Sequence, residues 1–303
     1  MAAHIQPAGV ADQGIAGETA TPPPVRRRRK LGSGIEIALL AIFAIVMLFP
    51  VLWMLETALK DAKDIYSVPA KVVTGWTPTL EHFKDVFGSD SPVFTGFKNS
   101  VIVAAASTVI ATVLGVPAAW AYSRFQIKGK KDQLFFILST RFMPPVVVVI
   151  PVFLMFRDLA LLDTLQGLIL VYAAFNLPFT IWMMKGFIDE VPAEYEEAAM
   201  LDGYSRFEAF WRVTMPLLIP GIAATAVFAL IFSWNEFVFS IFLITDPDTR
   251  TAPSAIAGLI GGTTINWGLV AASAMVFAIP VLVFAFLVRR HLVAGVTLGA
   301  VRR

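Results

Sequence analysis

Six long apolar stretches constrain this chain more than any other feature: residues 35–55, 100–121, 134–156, 164–184, 217–244 and 267–288. Each reaches the roughly 20 residues that cross a bilayer core. Together they hold three charges, Glu36, Arg141 and Glu236, although the chain carries 24 Lys and Arg and 22 Asp and Glu. With 57% hydrophobic residues the composition is too apolar for an ordinary soluble domain. The expected fold class is all-α, a polytopic membrane protein with six transmembrane helices surrounded by lipid.

Several chemistries are excluded early. The chain has no Cys, so it has no thiolate site, disulfide or cysteine nucleophile, and His4, His82 and His291 lie too far apart to set up a zinc motif. No metal or cofactor is expected in the chain. Gly129-Lys130-Lys131 lacks the upstream glycine and the hydroxyl of a phosphate-binding loop. The pieces between spans, about 35 to 45 residues at most, are below the size of a self-folding domain. Any nucleotide hydrolysis therefore belongs to another polypeptide, and the net charge of +2 does not point to nucleic acid.

Basic residues near the span ends set the orientation. Sixteen fall on one side, among them Arg26–Lys30, Arg124, Lys185 and Arg289; seven fall on the other, among them Lys60, Arg157 and Arg250. Both termini are thus expected in the cytoplasm of a bacterial inner membrane. Residues 1–32 read as a disordered basic tail rich in Ala, Gly and Pro, and 33–303 as the membrane domain. The first span is too long for the core of a signal peptide.

Eight of the 19 prolines fall inside spans: Pro50, Pro117, Pro144, Pro145, Pro151, Pro178, Pro220 and Pro280. Each removes a backbone donor and bends its helix. Kinked helices line cavities or hinge, although proline is also simply commoner in membrane helices. The cluster after Arg141 argues against a straight rod there. Ala104–Ser107 and Ala271–Ala274 form small-residue faces for close helix approach, inside the bundle or at a subunit interface.

Between the fourth and fifth stretches, the loop 190–215 is unusually structured. Pro192 suits a first helical turn and Glu194, Glu196 and Glu197 complement its positive end. Asp202-Gly203 ends that helix, Gly203 supplying a left-handed cap. Ser205 and Glu208 form a capping box for a second helix bearing Phe207, Phe210 and Trp211. The product is a bent helix pair that either docks into a partner or lies on lipid.

The spacing Glu197-Ala198-Ala199, three residues, Gly203, nine residues, Val213-Thr214-Met215-Pro216 resembles the Glu-Ala-Ala loop of ABC importer permeases, with Val213 and Met215 as conservative departures. The six spans, Trp234-Asn235-Glu236-Phe237 and the ending from Arg290 to Val301 resemble the smaller permease subunit of maltose-type carbohydrate importers, over about residues 33–301. The final Arg302-Arg303 departs from the Lys-Gly ending common there. The resemblance implies a type I importer fold and a second permease subunit. It also implies two ATPase subunits that bind ATP and Mg, and a periplasmic binding protein that delivers a sugar-type solute for alternating access. Glu196, Glu197, Ala198, Ala199, Asp202, Gly203 and Pro216 would couple to the ATPases, with Glu197 making polar contact. The outer loop at about 245–266, eased by Gly258, Gly261 and Gly262, would probe the binding protein.

Arg141 and Glu236 are costly at mid-bilayer and so are functional candidates, unless they snorkel to an interface. Counting rise along straight spans puts them about 18 Å apart in depth, which argues against a direct pair unless a span is broken. Arg141 is expected to hold carbonyls freed near Pro144 and Pro145 or to face an inner vestibule, and Glu236 to sit near the outer gate. Tyr172, Asn176 and Phe179 share a helix face. With Trp234 and Asn235 they complete a candidate substrate path, although Phe179 could equally be packing. An ion-coupled transporter or channel is the alternative, but it would normally show repeats or several membrane carboxylates. An embedded enzyme would need a nucleophile and base, and none is evident.

Overall fold

A computed structural model describes the chain from Lys30 to Ala300, apart from Val73 and Thr263, with side-chain surroundings from Gly34 to Phe286. Most of the expected tail and Arg302-Arg303 lie outside the described residues, and residues 30–32 already belong to the first helix. The described elements are helical: α1 (Lys30–Leu59), α2 (Ala62–Ile65), α3 (Glu81–Val86), α4 (Pro92–Arg124), α5 (Lys130–Arg141), α6 (Pro145–Asp158), α7 (Leu165–Glu190), α8 (Glu194–Leu201), α9 (Arg206–Ala209), a π turn (Phe210–Thr214), α10 (Met215–Trp234), α11 (Val238–Leu243), α12 (Ala252–Gly258) and α13 (Trp267–Ala300).

Residues up to Phe49 and residues from Pro50 onward form two compact units. In the first, every described side chain from Gly34 to Phe49 is exposed on an apolar helix, a surface suited to lipid or another membrane helix. In the second, α4, α7 and α10 pack closely through small residues. A Cβ on Gly115 would stand 2.6 Å from Thr180, and one on Gly221 would stand 2.6 Å from the Phe187 ring. Both predicted small-residue faces are used inside this bundle. Ser107 meets Ser233 at 2.9 Å, and Ala271 and Ala272 join a core with Trp234 and Phe97.

Among the described residues five helices are long and apolar enough to span, and the pair α5 and α6, bent by 90°, makes a sixth where it is one broken span. The stretch 134–156 is therefore not one straight helix. Pro145 holds Pro144 extended, with ψ at 128°, and itself opens a new first turn, so the chain restarts in another direction. The stretch 217–244 also differs from expectation. Its helix reaches back through the π turn to Arg206 and stops at Trp234, after which α11 runs separately. Here the Glu236 carboxylate accepts the Phe239 amide at 3.1 Å and caps α11, giving the backbone an alternative to continuing α10.

The segments that follow α1 and α11 are held by specific polar contacts. Asp64 is buried, accepts from Lys71 at 2.6 Å and from the Thr77 amide at 2.8 Å, and the Lys71 bond first of all holds its carboxyl below the usual range. The loop at 245–266 is not the free probe that its glycines imply. Its α12 is anchored on α4, with Ala252, Ser254 and Ala255 buried, leaving the exposed tip at 260–262.

His82 of α3 packs directly over Gly268 of α13, where a Cβ would stand only 2.1 Å from the imidazole Nε2. Gly268→Ala should lower the stability of the protein by about 1–3 kcal/mol through overpacking. Thermal unfolding of the detergent-solubilised protein checks this, and His82→Ala in the same chain should restore part of the loss.

Candidate functional site

The loop between α7 and α10 is built as its sequence dictates. After α8 the chain turns at Gly203, whose φ of +96° is a conformation L side chains rarely adopt, while a Cβ there would meet nothing within 4 Å. Glycine is needed for conformation and not for space. The Ser205 hydroxyl then accepts the Glu208 amide while Glu208 accepts the Ser205 amide at 2.9 Å, the capping box read from the sequence. That backbone bond holds the Glu208 carboxyl below its usual range. From Arg206 the second arm runs through the π turn into α10 without a break.

The two acidic neighbours of this loop have opposite fates. Glu197 is exposed, as are Glu194, Ala198, Asp202, Gly203 and Pro216. Glu196 is 3% exposed and accepts three bonds: from Arg124 Nε at 2.9 Å, Thr214 Oγ1 at 2.7 Å and Trp120 Nε1 at 3.1 Å. Ala199 is buried too. These two residues, expected at the partner surface, instead fasten the loop to the bundle, because a carboxylate taken out of water must find a counter-charge and donors. Arg124 also donates to the Val191 carbonyl at 2.7 Å, and Phe210 stacks on Trp120 with ring centroids 4.5 Å apart. The π turn brings Thr214 to Glu196 while keeping Phe210 fully buried. Such turns recur at functional sites.

What remains outward is apolar and charged, with Arg206 and Arg212 beside the acids. Leu201 is 89% exposed, Phe207 59% and Trp211 46%, beside Tyr195 and the exposed glutamates. Of the three aromatics predicted for docking, Phe210 is therefore core and the other two are surface. Trp120, Arg124 and Thr214 were not singled out from the sequence for this site. An arginine at the inner end of a span facing an acidic loop was the one available signal.

A second polar site lies where the broken span meets α7 and α10. Arg141, Tyr172, Asn176 and Glu236 line one recess of about 40 Å³ with Ser233 and Phe232. The depth argument that separated Arg141 from Glu236 fails here because it assumed a straight span. They form no ion pair among the described residues. Arg141 does not hold carbonyls near Pro144 and Pro145: it donates to the Phe175 carbonyl of α7 at 3.3 Å, and its guanidinium lies 4.5 Å from the Phe232 ring centroid. Asn176 donates to Ser233 at 2.7 Å and the Ala229 carbonyl at 3.3 Å, while its buried Oδ1 has no protein partner.

The other path candidates do not join this recess. Phe179 packs edge-on to Phe228 and Phe232. Trp234 is 3% exposed, stacked on Phe277 and Phe97, and belongs to the core. Asn235 points away to solvent or lipid and returns a bond to the Ile231 carbonyl at 2.8 Å.

Residues 93–297 match the family described as binding-protein-dependent transport system inner membrane component. The chain belongs to that family. The permease is 35% identical to the diacetylchitobiose uptake system permease protein DasC of Streptomyces coelicolor, over 86% of this chain and 94% of that one. It is also 35% identical to the trehalose transport system permease protein SugB of Mycobacterium tuberculosis, over 84% and 92% respectively. Its fold matches a chain in the crystal structure of a bacterial ABC transporter involved in alginate import, with a TM-score of 0.70 and 25% identity over 89% of the permease and 99% of that chain. The family is a transport component and not an enzyme, and the type I importer fold inferred from the loop spacing is present.

Because Arg141 ties the elbow of the broken span to α7, Arg141→Ala should cost about 1–3 kcal/mol by removing that charge-assisted bond and the contact with the Phe232 ring. Complex yield and thermal stability should fall while uptake per assembled complex stays close to that of the unaltered protein. Unchanged yield with lost uptake would assign Arg141 to the substrate path instead.

Proposed function

We propose that this permease is one of two membrane subunits of an ATP-driven importer of carbohydrates or related polyols and glycosides. In this reading it works by alternating access, with both termini in the cytoplasm. The relatives named for diacetylchitobiose and trehalose support the solute class. The observation that carries the energy coupling is the divided loop. Glu196, Ala199 and Phe210 are fixed inward, while Glu197, Leu201, Phe207 and Trp211 stand outward from a glycine-capped bend. Such a rigid knob suits the cleft of a separate ATPase subunit, to which Glu197 would offer its charge. ATP and Mg would be bound by two such subunits, and the solute would arrive on a periplasmic binding protein meeting the tip at 260–262. The polar recess of Arg141, Asn176 and Glu236 would face the solute path when the bundle opens.

Purification with the native neighbouring subunits tests this reading. Co-purifying ATPases whose hydrolysis rises with solute-loaded binding protein are expected. Uptake by this chain alone, driven by an ion gradient, would overturn it.

Gly203→Val should leave membrane assembly intact but cut stimulated ATP hydrolysis, because it forbids the bend and touches no span. The backbone cost is about 1–2 kcal/mol for a side chain in the left-handed region. Gly203→Asn should retain more activity than Gly203→Val, since asparagine tolerates positive φ. Equal hydrolysis in all three proteins would show that the bend is not used.

A further inference from the structure

The helix α4 is clamped to a functional loop at each end. It has 33 residues, which at 1.5 Å per residue makes a rod of about 50 Å. At its inner end Trp120 and Arg124 hold Glu196 of the cytoplasmic loop. At its outer end the buried Asn99 amide donates to the Asp248 carbonyl at 2.8 Å and the Arg250 carbonyl at 2.9 Å. The neighbouring Ser100 hydroxyl accepts the Ala252 amide at 2.9 Å, and a Cβ on Gly96 would stand 2.9 Å from the Ala255 side chain. The loop that ends in the exposed tip at 260–262 is therefore carried by α4 itself.

Between its ends the rod is braced. Gly115 abuts Thr180 of α7, and Ser107 meets Ser233, which also takes the Asn176 amide. Pro117 removes one backbone donor, yet the helix runs through it from Pro92 to Arg124. Packing on two sides opposes bending at that point.

We infer that Glu196 and Asn99 are positioning residues at the two ends of one rigid element, which transmits docking at the periplasmic tip to the ATPase-facing loop and back. Neither side chain needs to touch a partner, since both are buried. Each fixes the loop that does. Linkage requires the effect on binding to run both ways: binding-protein docking favours the nucleotide-closed ATPases, and nucleotide closure changes affinity for the binding protein by the same factor. The inference rests on the importer reading, because it supposes that partners meet both loops.

The test uses the complete complex in proteoliposomes, with hydrolysis measured per assembled complex with and without solute-loaded binding protein. Asn99→Ala should leave basal hydrolysis within about twofold of the unaltered complex while stimulation falls about tenfold, within the usual range of coupling between sites. Glu196→Gln should also lose stimulation, and the double variant should lose no more than the worse single one, because a rod cut at one end is not cut further at the other. If the unaltered complex shows no stimulation, the importer reading fails and this inference with it. If it is stimulated but Asn99→Ala at equal assembly keeps that stimulation, or if the two losses add, the inference alone fails. Should Asn99→Ala assemble poorly, Ser100→Ala removes the neighbouring clamp and carries the same expectations.

Discussion

A helix interrupted within a membrane leaves backbone groups that water cannot reach, and each interruption must be closed by a side chain or a neighbouring helix. The two deep charges of this permease stand at its two interruptions. Arg141 is the last residue of α5 and reaches across the 90° elbow to the Phe175 carbonyl of α7. Glu236 lies between α10 and α11 and caps the second with its carboxylate on the Phe239 amide. The rest of the bundle is arranged around these closures. Both residues line the same recess, and Asn176 completes it from α7. The Glu236 charge, costly in hydrocarbon, is thus retained where it takes up a backbone donor at a break, and the Arg141 charge where it ties the elbow to α7.

The fold class, the apolar helices and the bend of the loop before α10 were legible because each depends on local rules. Apolar length set the spans, Gly203 set the turn, and Ser205 with Glu208 set the second helix start. The breaks were harder. Pro144 and Pro145 announced an interruption but not its angle, since the direction of α6 depends on packing against α11 through Val149, Phe156 and Leu243. Nothing in the apolar run 217–244 separates Trp234 from its neighbours. Only the stacking of its indole on Phe97 and Phe277 shows that it is core while Asn235 beside it is outside. Adjacent glutamates present the same difficulty: the roles of Glu196 and Glu197 divide according to which one meets Arg124, a residue 72 positions earlier.

That division gives the loop two surfaces of different character. Inward, one carboxylate gathers a guanidinium, an indole and a hydroxyl, so it is heavily constrained. Removing any one donor leaves a buried charge short of partners, and such losses are severe relative to what the intact pair contributes. Outward, Leu201 is almost fully exposed, while Phe207 and Trp211 lean edge-on against each other and Trp211 against Phe210, leaving most of their surface free. The outer surface can therefore vary to suit a partner without disturbing the fold.

The π turn at Phe210–Thr214 joins the second arm of the loop to α10 as one continuous helix, whereas the first arm is separated from α7 by the non-helical Val191–Ala193. The two arms are therefore mechanically unequal. A displacement at Phe207 passes along the axis of α10 toward Trp234, while a displacement at Glu194 meets the Arg124 clamp on Glu196 and Val191. Force entering at the bend therefore divides, reaching α10 along its own axis and α4 through a side-chain clamp.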